Sequence, residues 1–158
     1  MMGPLINSAQ RDRVEAYVRG AVDDGAVVVC GGRRPPHLPD GFFYEATLLA
    51  GVTNAMTVAR DEIFGPVLVA IPYDGDDEAV SIANDSIFGL SGAIFSDDAD
   101  HAKAVARRIR TGTMSINGGV WYGPDVPFGG YKQSGLGREM GVAGFEEHLE
   151  VKAYAEPA

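Results

Sequence analysis

Three groups of side chains in this sequence could do chemistry. Cys30, the only cysteine, is a candidate nucleophile. It closes the apolar run Ala26-Val27-Val28-Val29-Cys30, with no histidine or helix start at a fixed spacing to activate it. The expectation is therefore a thiol packed as a small hydrophobe. Asp61 and Glu62 are the second group. Glu62 stands before Ile63 and Phe64, at a turn closed by Gly65-Pro66. A carboxylate sheltered there could accept hydrogen bonds from two hydroxyls of a sugar, and a solvated loop carboxylate is the competing reading. The third group is aromatic. Trp121, Tyr122 and Phe128 lie on one Gly/Pro-rich loop. They could line an apolar pocket, cap the core or meet a partner chain.

Other patterns fail on inspection. The run Gly135 to Gly141 suggests a dinucleotide-binding fingerprint, but its third glycine is one position late and no strand directly precedes it. No phosphate-loop Gly-Lys-Ser/Thr run exists. His37, His101 and His148 are far apart, and neither they nor Cys30 have a ligand-spaced neighbour, so no metal site is expected.

The elements that would position these groups follow from periodicity. Asn7 or Ser8 can cap a helix whose apolar stripe is Val14, Tyr17, Val18, Ala21 and Val22, with Gly25 to end it. The run 26–30 reads as a strand buried on both faces. A loop covers 31–41, and 42–49 reads as another strand. Strands are expected at 67–72, 90–95 and 114–117. Helices are expected from Asp74–Asp77 to about Asn84, and from Asp97–Asp98 along Ala102, Val105, Ala106 and Ile109 to the stop at Gly112. Residues 118–138 form a long loop, of a length that is usually functional. A short helix follows at about 138–147. Leu149, Val151 and Ala153 then alternate with polar neighbours as a half-buried last strand at about 149–154. Strands alternating with helices imply an α/β fold with a largely parallel sheet flanked by helices.

The chain has 158 residues and reads as one domain, with no linker and no internal repeat. Its 22 acidic and 13 basic residues give a net charge of −9, which argues against nucleic acid and against an anionic membrane surface. No 18-residue apolar run and no signal peptide are visible, so a cytoplasmic protein is expected.

Four segments carry a resemblance. Ala59-Arg60-Asp61-Glu62-Ile63-Phe64-Gly65-Pro66-Val67 resembles the Glu-Ile/Val-Phe-Gly-Pro-Val segment of aldehyde dehydrogenases. The stretch from Asn84 through Gly89-Leu90 to Ala93 is similar to that family's Ala-Asn…Tyr-Gly-Leu segment. Pro127-Phe128-Gly129-Gly130-Tyr131-Lys132-Gln133-Ser134-Gly135-Leu136-Gly137-Arg138-Glu139 is similar to its Pro-Phe-Gly-Gly-x-Lys-x-Ser-Gly-x-Gly-Arg-Glu segment, and Met2-Gly3-Pro4-Leu5-Ile6 to an interior stretch. The four lie in the family's order along essentially the whole chain.

The resemblance implies the C-terminal third of such an enzyme. It implies a partial catalytic domain over residues 1–158, with an oligomerisation strand at about 149–154 and no Rossmann cofactor domain. The parent reaction is NAD(P)+-dependent oxidation of an aldehyde to a carboxylic acid through a cysteine thioester. By resemblance, Glu62 binds the nicotinamide ribose hydroxyls and Phe64 packs near the nicotinamide. Phe128 borders the substrate tunnel, and Trp121 and Tyr122 sit in the loop that varies with substrate. Cys30 matches no catalytic position, so this chain carries no catalytic residue of its own. It is expected to be inactive alone and to bind NAD or NADP tightly only within a complete enzyme. Expected partners are further copies of itself or a complementing aldehyde dehydrogenase chain. The alternatives are an assembly module that complements a chain carrying the Rossmann domain and the nucleophile, or a non-functional truncated gene product. One local departure is Ala46, where the family usually has proline before Thr47.

Overall fold

The computed structural model describes residues 2–119 and 122–157. The chain divides into two compact units, Met1–Tyr73 and Asp74–Ala158.

In the first unit, helix α1 (Ser8–Asp23) starts where Asn7 accepts the Gln10 N–H at 2.8 Å. It ends before Gly25, whose φ of 102° a side chain would resist. Its buried face is Val14, Val18 and Ala21. Strands β1 (Val27–Cys30), β2 (Thr47–Ala50) and β3 (Val67–Val69) form one sheet in the order β1-β2-β3. β2 pairs antiparallel with β1 and parallel with β3, with Leu49 opposite Val69. The short helix α2 (Thr57–Arg60) contributes Val58 to the core. Around the fully buried Leu49 and Val14 gather Tyr44, Val52, Val58 and Ile63. Each such side chain contributes about 1.5–3 kcal/mol by leaving water.

β2 begins at Thr47, later than expected. Buried Thr47 donates its hydroxyl to Glu45 O at 2.8 Å and accepts the Gly32 N–H at 2.9 Å. That pair of bonds holds the start of the strand.

β1 departs from expectation. All four of its residues are exposed, Val27 by 60%. An unbroken apolar run suggests a strand between two neighbours, but β1 is an edge with one antiparallel neighbour and an irregular register between Val28 and Cys30. Cys30 is correspondingly exposed, not packed inside.

Tyr44 is buried, and its hydroxyl has no hydrogen-bond partner among the described residues. Burial disfavours the phenolate and pushes its pKa up to about 12.

In the second unit, helix α3 (Gly75–Asn84) carries Asp76, Asp77 and Glu78 in its first turn. Asp74 sits at the cap position but makes no side-chain cap. Its N–H donates instead to the Glu78 carboxylate. Strands β4 (Ser91–Ile94) and β5 (Thr113–Ile116) pair in parallel over four residues, and helix α4 (Ala99–Ala106) connects them. Asp98 caps α4 by accepting the Asp100 and His101 N–H groups, which hold its carboxyl below the usual range. His101 Nε2 lies 2.6 Å from Asp76 Oδ2 of α3, a partner that raises the imidazole pKa. Ala102 and Val105 are buried, as their spacing requires.

The long segment after β5 has structure of its own. It contains a 3₁₀ turn (Lys132–Ser134) and an antiparallel bridge between Phe128 and Glu139, before helix α5 (Gly141–Glu146). The last expected strand is not formed. Residues 149–157 carry no regular structure, and Val151 is 99% exposed. A strand needs a partner ladder, and none of the described residues supplies one.

Candidate functional site

Glu62 and Phe64 sit on the turn between α2 and β3. Both are exposed, Phe64 by 73%, while Ile63 between them is buried in the core. Burial of the middle residue turns its two neighbours outward together. The turn rests directly on α1. A Cβ on Gly65 would meet Val14 Cγ2 at 2.3 Å, so only glycine allows this approach.

Polar side chains of α1 fix the backbone. Gln10 Nε2 donates to Ile63 O at 2.8 Å and to Phe64 O at 2.9 Å. Arg13 donates to Glu62 O at 3.0 Å and Ile63 O at 3.3 Å. The Arg13 guanidinium also lies over the Tyr17 ring, 5.1 Å from its centroid, and Tyr17 donates to Asp61 Oδ2 at 2.8 Å. Phe64 itself has φ 53°, a left-handed conformation that costs a non-glycine residue about 1–2 kcal/mol. Strain of this kind persists where surrounding contacts over-determine the backbone, and it concentrates at functional sites.

The second group of site residues belongs to the second unit. Tyr122 and Phe128 meet edge to face, with centroids 6.2 Å apart and planes at 73°. Trp121 lies outside the described residues. Phe128 exchanges both backbone hydrogen bonds with Glu139, at 2.8 and 2.7 Å. It borders a cleft of about 280 Å³ lined also by Leu90, Gly129, Ser134 and Arg138.

The glycine-rich segment 127–139 is locked to the segment 84–93. Lys132 Nζ donates to Asn84 O at 2.9 Å and to Ser86 O at 2.8 Å, at the C-terminal end of α3 where carbonyls lack helical partners. Ser134 Oγ accepts the Gly89 N–H at 3.0 Å, and the Tyr131 N–H donates to Gly89 O at 2.8 Å. Arg138 donates to Gly130 O and Gly137 O. Side chains are excluded along the seam. A Cβ on Gly112 would lie 1.6 Å from Gly129 O, and one on Gly89 would lie 2.5 Å from Arg110 O. Lys132, Ser134 and Arg138 therefore hold backbone in this seam.

Sequence reasoning missed Gln10, Arg13, Lys132 and Ser134. The first two lie on the same stripe of α1 as Val14 and Tyr17, at i, i+3, i+4 and i+7, which was the available signal. Cys30 is not near any of these groups in its hydrogen bonding. Its Sγ contacts Ala46 O at 3.8 Å. Among the described residues, no three His, Cys, Asp or Glu side chains are grouped to hold a metal, and no helix is long and apolar enough to cross a membrane.

The aldehyde dehydrogenase family profile matches residues 1–154. The chain belongs to the aldehyde dehydrogenase family. A putative aldehyde dehydrogenase of Staphylococcus saprophyticus is 48% identical over 155 residues, covering 98% of this chain and 32% of the relative. Betaine aldehyde dehydrogenase of Bacillus subtilis is 45% identical over 152 residues, covering 95% and 31%. The crystal structure of a Mycobacterium tuberculosis aldehyde dehydrogenase complexed with NAD+ superposes with a TM-score of 0.89 at 49% identity, covering 93% of this chain and 30% of that one. The chain thus spans about a third of the length of these aldehyde dehydrogenases.

Proposed function

We propose that this chain supplies the nicotinamide-ribose contact and part of the aldehyde tunnel of an NAD- or NADP-dependent aldehyde dehydrogenase. One observation carries the proposal: the Glu62–Phe64 turn presents an exposed carboxylate and an exposed aromatic ring two residues apart on a backbone held by α1. The geometry fits the nicotinamide-riboside half of the coenzyme. A carboxylate accepts hydrogen bonds from both hydroxyls of a ribose diol, and an exposed phenyl ring offers a face for a planar heterocycle. When bound, the nicotinamide supplies the hydride acceptor for aldehyde oxidation. Glu62 orients the ribose, Phe64 limits where the ring can sit, and Phe128 with Tyr122 gives the substrate an apolar wall that keeps water away. Trp121 belongs to the same wall by resemblance.

The parent chemistry requires a thiolate nucleophile and a carboxylate base held together. Cys30 is exposed on an edge strand, and its only hydrogen-bonding contact among the described residues is Ala46 O. The 158-residue chain alone is therefore inactive, and the nucleophile comes from elsewhere in a complete enzyme or from a complementing chain. The exposed edge β1 and the strandless residues 149–154 favour assembly with such a chain, or with further copies of this one. The cytoplasm, where NAD(P) is available, is the fitting compartment.

The test is reduction of NAD+ and NADP+ by the purified chain with a panel of aliphatic and aromatic aldehydes, beside a Cys30→Ser control. No reduction in any combination is expected. Turnover that disappears in the control would make Cys30 a nucleophile and overturn the assignment.

A further inference from the structure

We propose that Asn117 is a site of spontaneous covalent modification, at which the backbone nitrogen of Gly118 attacks the Asn117 carboxamide. The step needs no enzyme, oxidant or reductant. The Gly118 nitrogen bonds to Asn117 Cγ and gives up its proton, while the Cγ–Nδ2 bond breaks and ammonia leaves. The cyclic imide that remains takes up one water, which opens it at either carbonyl. The products are aspartate and isoaspartate at position 117.

The sequence has four asparagines, Asn7, Asn54, Asn84 and Asn117, and only Asn117 precedes a glycine. Only there is the attacking nitrogen unshielded by a Cβ on its own residue. Asn117 and Gly118 are both exposed, and a Cβ built on Gly118 meets nothing within 4 Å. Asn117 also borders an open hollow with Phe95, Ser96 and Asp97, so water reaches it. The fold itself explains why this pair stands here. Asn117 has φ 51° and Gly118 φ 78°, and the Gly119 N–H donates to Ile116 O at 3.0 Å. A tight turn with both central residues left-handed prefers asparagine followed by glycine. The residues that suit the turn after β5 are therefore also the reactive pair.

The folded chain restrains the step. Asn117 Oδ1 accepts the Ser96 N–H at 2.9 Å, and Asn117 Nδ2 donates to Ser96 O at 2.8 Å. The Asn117 N–H donates to Ile94 O at 2.8 Å. The carboxamide is thus clamped to the chain leaving β4, and clamp and turn must open before the ring closes. Modification destroys what restrained it. Aspartate has no Nδ2 to donate to Ser96 O, and its charge stands beside the segment that carries Asp97 and Asp98. Isoaspartate adds a methylene to the backbone and breaks the turn. The segment that leads to Tyr122 and Phe128 starts from this turn, so its anchored beginning is released.

The experiment is peptide mapping by mass spectrometry on the full 158-residue chain, incubated at mildly alkaline pH, with isoaspartate counted by enzymatic methylation. In the folded chain Asn117 converts ahead of Asn7, Asn54 and Asn84 and yields both products. In the urea-unfolded chain the same conversion is about tenfold faster, because the bonds of the clamp and the turn are gone. Asn117→Gln, whose attack would have to close a larger ring, shows no conversion at this position. Gly118→Ala, measured in urea where folding plays no part, slows the step by shielding the nitrogen. Earlier conversion at another asparagine, or no conversion in the folded chain, overturns the proposal. Equal rates in the folded and unfolded chains overturn the restraint by clamp and turn. Aspartate as the sole product, with a rate unchanged in Gly118→Ala, means direct hydrolysis by water and overturns the attack by Gly118.

Discussion

Replacing Gly65 by alanine isolates the contact on which the Glu62–Pro66 turn rests. The added Cβ would lie 2.3 Å from Val14 Cγ2 and 3.2 Å from Cγ1. The first distance is more than 1 Å inside ordinary carbon–carbon contact. Val14 cannot rotate away easily, because it is fully buried and a β-branched side chain in a helix has one strongly preferred rotamer. The turn must therefore lift from α1, or α1 must shift, at a cost of about 1–3 kcal/mol typical of overpacking. Val14→Ala removes the offending methyls and by itself costs about 2 kcal/mol in lost burial and cavity. In that background the Gly65→Ala penalty largely disappears, since the nearest remaining Val14 atom, Cβ, is 3.3 Å away. The double-mutant cycle should show a favourable coupling of about 1–2 kcal/mol. Any gain from restricting the unfolded chain is present in both backgrounds and cancels. The assay is urea unfolding read by hydrogen exchange at the Leu49 amide in β2, which reports on the unit containing the contact. A coupling within about 0.5 kcal/mol of zero would show that the turn does not rest on Val14.

Two further outcomes follow from the packing. Tyr44→Phe removes a buried hydroxyl that has no partner among the described residues, so stability near neutral pH should be unchanged or slightly higher. The folded-state pKa of Tyr44 lies above its unfolded value, so the parent chain keeps its stability below about pH 10 and loses it as pH rises toward about 12. Alkaline urea titrations should show that loss in the parent and a smaller one in Tyr44→Phe. Lys132→Met removes two bonds from an ammonium to the Asn84 and Ser86 carbonyls and should destabilise the second unit by about 2 kcal/mol. Exchange at amides of β4 and β5 would measure it, and an unchanged value would mean that the lysine does not hold the seam.

Much of this arrangement was legible in the sequence. Asn7 and Gly25 bracket α1, and Val14, Val18 and Ala21 mark its buried face, because capping and helical periodicity are local properties. Parallel pairing of β4 with β5 follows from the helix between them. The two glycine-rich segments point to a family, but their spacing does not reveal that Lys132 and Ser134 serve the backbone of residues 84–89. That contact spans more than 40 residues. Burial of β1 failed for a different reason. Apolar character shows that a strand suits a covered environment, not that this chain provides the cover. Residues 149–154 behave likewise, since a ladder depends on a partner strand that periodicity cannot supply. Glu62 remained ambiguous from sequence because a solvated and a ligand-facing carboxylate share one composition. Gln10 and Arg13 were missed because polar residues beside an apolar stripe read as its solvated margin.

The measurement that bears most directly on the proposed role is a nicotinamide mononucleotide titration of the isotope-labelled chain, read as amide shift changes at millimolar ligand. Shifts should cluster at residues 61–65 and disappear in Glu62→Gln, which keeps shape but removes the charge that accepts the ribose hydroxyls. Shifts elsewhere on the chain, or an undiminished response in Glu62→Gln, would contradict the assignment of this turn to the coenzyme.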